Sequence, residues 1–338
     1  KAHAVTVKTF HAFCSSVLRR YGKHIGLGSD YTIFDSEDQR DALKMAMEDV
    51  EVDPKRYPIR GIQSAISKAK STMLDVHIFK TQGQSFYDEI VGRVYASYER
   101  ILSANNGVDF DDLLLKTINV FNGQPSVLEQ YQQKFLHVMV DEFQDTNIVQ
   151  YQLAKILSGS FRNLCVVGDP DQAIYSWRNA DIRNILSFQQ DFPDAAFIEL
   201  EENYRSTGNI LDVAKGLISA NKQRIEKKIW TVKERGSHIV VHECFTGKEE
   251  ANFIMEEINR LMTKKNRMLN DVAIMYRINA QSRALEEACL RYGIRYRIIG
   301  GVRFYHRREV KDLISFLRVI NNPGDQISLL RVINIPPR

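Results

Sequence analysis

The sequence predicts an α/β protein in which parallel-sheet domains carry an all-helical insertion, and three observations predict it. Short apolar runs at 135–140, 164–167 and 197–200 end on polar residues and alternate with helical patterns, the arrangement of a parallel sheet with helical crossovers. From 28 to 107 the apolar spacing is helical, with no strand pattern to interrupt it. Beyond 209 a second set of strand-like runs, 238–242, 272–276 and 296–299, again alternates with helical patterns. A length of 338 residues sets the expectation at two or three domains.

In chain order, residues 4–10 alternate like a strand, and 12–21 has the apolar spacing of a helix that Gly22 can end. Natural termini usually fray, so a sequence that opens inside structure is expected to be part of something longer. In the helical stretch, Ser36 and Gln39 have the spacing of a capping box ahead of Ala42, Leu43, Ala46 and Met47 on one face. A second helix is predicted over 59–71 and a third over 85–104. In the third, Tyr87, Val91, Val94, Tyr98 and Ile101 form a stripe that fits a core face better than a base-stacking surface. A helix over 111–121 precedes the first strand pattern. Between the two α/β regions, 215–235 holds seven basic and two acidic residues, the pattern of a solvated face.

The 46 Lys and Arg against 42 Asp and Glu leave a formal charge of +4, which fits neither an acidic disordered tail nor a strongly basic nucleic-acid cloak. With 44% hydrophobic residues the chain can bury sizeable cores. No apolar run approaches the roughly 20 residues that cross a bilayer, and the opening residues lack a signal-peptide stretch, so no membrane partner is expected. Cys14, Cys165, Cys244 and Cys289 lie far apart with no C-x-x-C pair and read as reduced, mostly buried thiols.

In parallel sheets, ligand-binding groups collect at the carboxyl ends of strands. Those positions hold Asp141-Glu142, Gly168-Asp169 and Glu202-Asn203-Tyr204-Arg205. An apolar strand delivering Asp then Glu suits nucleotide hydrolysis: one carboxylate holds the water shell of Mg²⁺ and its neighbour orients or deprotonates the attacking water. The same pair also fits an acidic loop or a helix cap. Phe143-Gln144-Asp145-Thr146 adds polar groups able to reach across a crevice. After the next strand, Gln172 is placed to bridge a terminal phosphate to Tyr175, Trp177 and Arg178, whose rings and cation suit unstacked bases and phosphates, although Trp177 taken alone fits a core position at least as well. Arg205 can stabilise charge on a transferred phosphoryl group and Tyr204 can stack on a nucleobase, although a surface Arg paired with Glu201 or Glu202 reads equally well.

In this order and spacing the motifs resemble the superfamily 1 DNA helicases of the UvrD, PcrA and Rep type, and the resemblance covers essentially the whole chain. Thr9-Phe10-His11-Ala12-Phe13-Cys14 looks like the family's early DNA-contacting segment. Asp109-Phe110-Asp111-Asp112-Leu113-Leu114 resembles its acidic helix motif, and Asp141 to Thr146 its Walker B motif. Residues 168–180 resemble its third motif, with Trp177-Arg178-Asn179-Ala180 where W-R-G-A is commoner, and 202–206 its fourth. Residues 276–283 and 300–305 are similar to segments of the second motor domain that line the DNA groove. The Asn179-for-Gly change is expected to be mild and to stiffen the turn after Arg178.

The resemblance implies RecA-like motor domains: a first domain over 1–28 and 109–205, a helical insertion over 29–108, and the N-terminal part of a second domain over 206–338. It implies ATP and Mg²⁺ as cofactors. Asp141 would be the magnesium carboxylate, Glu142 the catalytic base, Gln172 the γ-phosphate sensor, Arg205 a γ-phosphate contact and Tyr204 the adenine stack. Phe10, His11, Tyr175, Trp177, Arg178, Asn279 and Phe304 would contact DNA. The implied function is ATP-dependent 3′ to 5′ translocation on single-stranded DNA, at single/double-strand junctions, in replication, repair or recombination and with proteins of those processes. The implied location is the nucleoid-containing cytoplasm of a bacterium, or the nucleus or a DNA-containing organelle of a eukaryote.

No G-x-x-x-x-G-K-[ST] occurs in the sequence, since Gly22-Lys23-His24 and Gly247-Lys248-Glu249 lack both the spacing and the hydroxyl. In the family that loop lies upstream of the matched segments and the final arginine motif downstream, so these residues alone are expected not to hydrolyse ATP. Two other classes compete. A non-hydrolysing module gripping single-stranded DNA or a partner would have lost acidic or arginine positions, whereas Glu142, Gln172 and Arg205 are present. A metal-dependent nuclease would need carboxylates from several elements, not the one cluster Asp141, Glu142 and Asp145. Residues 291–311 hold seven Lys or Arg against one Glu, enough for several salt-sensitive phosphate contacts.

Overall fold

Thr9 starts the first helix: its hydroxyl accepts from the Ala12 amide at 3.2 Å, and α1 (Phe10–Tyr21) follows. This computed structural model describes residues 5–221, 225–299 and 308–335, without the side chain of Lys265. The strand expected over 4–10 is not formed. Residues 5–9 are exposed and join no ladder, and the cap at Thr9 commits Phe10 to the helix instead. The described residues of 1–199, 221–227 and 312–338 form one compact unit, and those of 200–220 and 228–311 another.

In the first unit, β1 (Thr32–Ile33) is followed by α2 (Ser36–Asp49), α3 (Ile59–Ser71), α4 (Val76–Gln82) and α5 (Phe86–Ala104). β2 (Gly107–Val108) then pairs in parallel with β1, so two short strands interrupt the stretch expected to be all-helical, one near its start and one at its end. The capping box of α2 sits one residue earlier than its sequence spacing suggested. Asp35 is extended and accepts from the Glu37 and Asp38 amides, while the Asp38 carboxylate accepts from the Asp35 amide at 3.0 Å. α3 spans the predicted residues, and α5 starts on its Ser85 cap. Most of the stripe on α5 is core: Val91, Val94 and Tyr98 are buried with Phe34, Leu43, Met47, Ile62 and Ile66, and Ile101 packs half-buried against them, but Tyr87, in the first turn, is 39% exposed. Each fully buried side chain of this size contributes about 1.5–3 kcal/mol.

α6 (Phe110–Gly123) and α7 (Pro125–Lys134) lead to β3 (Val138–Val140), and α8 (Ile148–Ser158) leads to β4 (Leu164–Val166). The two strands are parallel, in register Val138 with Leu164 and Val140 with Val166. A strand–helix–strand crossover allows this pairing and a hairpin does not. α1, α6 and α8 share a core around Cys14, Leu18, Leu114, Phe121 and Leu153. α9 (Arg183–Leu186) and α10 (Phe188–Asp191) complete this part.

The second unit holds α11 (Gly208–Ile218), α12 (Gly247–Lys265) and α13 (Ser282–Arg291). Its core is small, with Ala251, Met255, Ile258, Ala288 and Cys289 buried between α12 and α13. The strands expected at 197–200, 238–242, 272–276 and 296–299 are absent among the described residues. These segments pair with no neighbour; at 238–242 the side chains gain little burial, Val241 being 93% exposed, whereas Val272 and Ile274 pack half-buried against the core of α12 and α13. A strand is stabilised by its ladder as well as its buried face, and here the ladder is not supplied even where one face packs on the core. A parallel bridge between Glu202 and Trp230 lies outside any named strand.

α14 (Arg308–Asn321), which belongs to the first unit from Asp312 on, and α15 (Gln326–Val332) close the chain. Arg318 donates to Asp38 at 2.7 Å and to the Ile33 carbonyl at 3.1 Å, and Asn322 to the Asn105 carbonyl at 2.9 Å. All four cysteines are free thiols. Cys14 and Cys289 are buried, but Cys165 is exposed because its position on β4 points away from the core, so burial of most thiols does not hold.

Candidate functional site

The end of β3 delivers Asp141 and Glu142 to solvent, and the chain turns there through an uncommon conformation. Glu142 has φ +50° and ψ +44°, the left-handed region that costs a side-chain-bearing residue energy. The turn is held by the Phe143 amide donating to Val167 O at 2.9 Å and by Asp145 N donating to Glu142 O at 3.0 Å. Phe143 is fully buried, edge-on to Tyr151 and Phe188, and anchors the loop from below.

Gln144 joins the two strand ends. Only 1% exposed, it donates from Nε2 to Glu142 Oε2 at 2.8 Å and accepts on Oε1 from the Asp169 amide at 3.0 Å. Asp169 in turn accepts from Gln172 Nε2 at 2.9 Å and from Lys227 Nζ. A continuous polar path therefore runs from Glu142 through Gln144 and Asp169 to Gln172. Gly168 makes the close approach possible: a methyl group there would sit 2.6 Å from Gln144 Oε1 and 3.1 Å from Phe143 N. Burial opposes ionisation of Asp169, but the hydrogen bonds from Lys227 and Gln172 prevail and hold its carboxyl below the ordinary range.

Asp145 differs. Burial, reinforced by the Glu142 charge, raises its pKa, and its Oδ1 is buried without a hydrogen-bond partner. The Asp141 side chain accepts from the Glu142 amide at 3.0 Å. Exposed carboxylates at Asp141 and Glu142, with the unpartnered oxygen of Asp145 nearby in sequence, are hard oxygen donors of the type Mg²⁺ takes. Among the described residues no group of three or more His, Cys, Asp or Glu forms a metal cage. That donor set fits a cation held through one carboxylate, with water and phosphate oxygens completing its shell.

The aromatic segment follows directly. Tyr175 and Trp177 have ring centroids 6.1 Å apart, and the Arg178 guanidinium lies 5.1 Å and 4.6 Å from them. Trp177 is 66% exposed, so its ring faces solvent instead of filling a core. The segment is tied to the acidic loop, since Asp181 N and Asn184 Nδ2 donate to Thr146 O at 3.0 Å and 2.9 Å. Phe10 is half-buried between two core clusters of this unit. His11 meets the Phe110 ring edge-on at 5.8 Å, and burial lowers its pKa.

In the second unit, Asn203 Oδ1 accepts from the Arg205 and Ser206 amides at 3.0 Å and 2.7 Å and shapes the turn that presents Tyr204 and Arg205. Tyr204 is 72% exposed and donates to Glu202 at 2.8 Å, and Lys233 donates to Arg205 O at 3.0 Å. Asn279 is exposed in a short 3-10 turn whose entrance is fixed by Gln281 accepting from the Arg277 and Ile278 amides. Phe304 lies outside the described residues.

The structure thus brings Asp141, Glu142, Gln172, Tyr175, Trp177 and Arg178 into one connected loop system of the first unit, while Tyr204, Arg205 and Asn279 belong to the second. Three participants have little sequence signal. Gln144 was visible only as one of several polar residues. Lys227 sits in a charge run that reads as surface. Lys70, 1% exposed, donates to Glu99, Asp109 and Asp112 at 2.6, 2.8 and 2.8 Å inside the helical part.

Comparison with known proteins adds a family. The family model described as the UvrD/REP helicase N-terminal domain matches residues 1–193, and that of the UvrD-like helicase C-terminal domain matches 198–338. The ATP-dependent DNA helicases PcrA of Staphylococcus epidermidis and Staphylococcus aureus are each 44% identical over 338 residues, and that of Bacillus subtilis is 44% identical over 337. Each match takes in 100% of this chain and 46% of the relative, so the chain spans about half the length of the curated relatives it matches.

Proposed function

The chain belongs to the UvrD/REP helicase family, and from that premise we propose that it supplies the ATP-cleaving carboxylates and a DNA-gripping surface of an ATP-dependent helicase that moves 3′ to 5′ on single-stranded DNA. The observation that carries this reading is the path from Glu142 through Gln144 and Asp169 to Gln172, followed three residues later by the exposed rings of Tyr175 and Trp177. A change felt at Gln172 can then move the aromatic segment, because both stand on the same short piece of backbone.

The proposed division is a RecA-like first motor domain over 1–28 and 109–205, a helical insertion over 29–108 and part of a second RecA-like domain over 206–338. Mg·ATP, when bound, supplies the phosphoanhydride bond whose cleavage drives the cycle. Asp141 would hold the cation, and Glu142 would take the proton of the attacking water, a role suited to an exposed carboxylate oriented by the Gln144 amide. Gln172 and Arg205 would contact the γ-phosphate, and Tyr204 would cover the adenine. Phe10, His11, Tyr175, Trp177, Arg178, Asn279 and Phe304 would face the strand. The site of action would be bacterial nucleoid DNA. No helix among the described residues is long and apolar enough to cross a membrane.

These 338 residues by themselves are proposed to bind DNA without hydrolysing ATP, because the sequence holds no lysine-bearing phosphate loop to offset the carboxylates. The test uses the full-length protein that contains this chain. Single-stranded DNA should stimulate its ATPase, and Glu142→Gln should lower the stimulated rate by about 10²- to 10⁴-fold while Mg·ATP still binds. An ATPase indifferent to DNA, or a Glu142→Gln enzyme at wild-type rate, overturns the proposal.

A further inference from the structure

The turn that ends the aromatic segment carries a residue with two distinct properties. Asn179 has φ +63° and ψ +18°, a left-handed conformation that glycine adopts freely and that asparagine tolerates better than other side chains. Glycine would satisfy the backbone alone. The asparagine adds an amide that reaches more than a hundred residues back along the chain: Nδ2 donates to Ser71 Oγ at 2.9 Å and to Ser67 Oγ at 3.3 Å, one turn apart on α3. The acceptors are themselves fixed. Ser71 is buried, and its hydroxyl proton is committed to Ser67 O at 2.7 Å, which turns its lone pairs toward Asn179. The Ser67 hydroxyl also favours the charged form of the Asp111 carboxylate on α6.

Two backbone bonds accompany this tether: Arg178 N donates to Tyr175 O at 2.8 Å inside the segment, and Asp181 N donates to Thr146 O at 3.0 Å just after it. Just ahead of these anchors the Trp177 ring stands in solvent with Arg178 above it. Its orientation therefore depends on the turn at 176–179 holding still. The turn's own backbone bonds, including Asn179 N donating to Ser176 O at 3.0 Å, shape it locally, and the side-chain tether adds the constraint that ties it to α3.

We propose that Asn179 is a positioning residue for DNA binding: by bonding Ser67 and Ser71 it clamps the Tyr175–Trp177–Arg178 segment to α3, so that the rings are preorganised for bases and the helical part moves with them. The claim rests on the helicase reading above for what the rings bind, and on the geometry alone for the clamp. Preorganisation matters because ordering a loop on binding subtracts from affinity.

The test compares wild type, Asn179→Gly, Ser67→Ala/Ser71→Ala and the triple variant in the full-length protein. Asn179→Gly keeps the left-handed turn and deletes only the amide, while the serine pair deletes only the acceptors. Two measurements are made: hydrogen exchange of the peptide covering 173–184 without DNA, and binding of a short oligo-dT. Faster exchange in both variants, binding weakened by about three- to tenfold in each, and no further loss in the triple variant support the clamp, because the two changes then break one interaction. The serine variant should also need more DNA for half-maximal ATPase stimulation at an unchanged DNA-free rate, a split that general destabilisation would not produce. Exchange and oligo-dT affinity in Asn179→Gly equal to wild type overturn the proposal. Wild-type protein that fails to bind oligo-dT overturns the helicase reading, and the exchange data then decide the clamp by themselves.

Discussion

An apolar run that ends on polar residues occurs in both units, and the two outcomes differ. At 138–142 and 164–169 the runs pair in register, and a buried glutamine stitches their polar ends together. At 197–205 the run stays unpaired until the bridge at Glu202, and Tyr204 and Arg205 are shaped only by local bonds to Glu202 and Asn203 and by Lys233. Charges follow the same divide. The first unit buries Lys70 among three carboxylates, whereas the ion pairs of the second, such as Arg283 with Glu287 and Arg235 with Asp212, are solvent-exposed. A functional side chain is held to fractions of an ångström where a ladder and a buried partner over-determine it, and only loosely where it has local turns alone.

The widest gap between the units should appear at Lys70. Lys70→Met removes the buried positive charge that bonds both Asp109 and Asp112, and should cost about 3–5 kcal/mol, read as a lowered urea midpoint. A loss below 1 kcal/mol would mean that the buried cluster is no more important than the exposed pairs of the second unit.

Gln144→Ala comes next. It strands the Asp169 amide and frees Glu142, with an expected loss of about 1–3 kcal/mol in stability and a fall of about 10- to 100-fold in the full-length ATPase. Wild-type turnover with that bond gone would show that the stitched strand ends are not what orients Glu142.

Asp111 offers a smaller, pH-dependent contrast. Burial and the neighbouring Asp109 charge raise its pKa from 3.8 to about 7, against the Ser67 hydrogen bond and Lys70. Between those values the unfolded chain ionises this group before the folded one does, so its contribution to stability falls as pH rises from about 4 to about 7 and levels off above that. Asp111→Asn should therefore be more stable than wild type by about 1–2 kcal/mol at pH 8, and the difference should vanish near pH 4. Melting temperatures across that range check it, and a gap that grows toward low pH would reverse the assignment.

The smallest effect is expected in the second unit. Tyr204→Phe deletes an exposed hydroxyl bonded to Glu202 and should change stability by less than about 0.5 kcal/mol. A larger shift in the urea midpoint would place that turn in a packed environment and erase the comparison.

Much of this was legible because some signals are local. The extent of α3, the Ser85 cap and the core stripe of α5 follow from helical spacing and capping chemistry alone. The acidic pair after β3 and the aromatic segment after β4 were readable because strand ends gather polar groups. The strand patterns at 238–242 and 272–276 misled, since alternation reports which face a strand would bury and carries no information on whether a partner strand is present. Nor did Asn179 show its reach, because a left-handed turn and a bond to Ser71 depend on residues more than a hundred positions apart.

By itself the sequence determined the order of its motifs, the faces of its main helices and the chemistry available at each strand end, all of which depend on residues within a few positions of each other. The tertiary structure alone decided which of those ends are joined. Gln144 bridging Glu142 to Asp169, Lys70 enclosed by carboxylates from α5 and α6, and Asn179 held on α3 each require distant backbone to arrive at hydrogen-bonding distance, and that distance is set by packing.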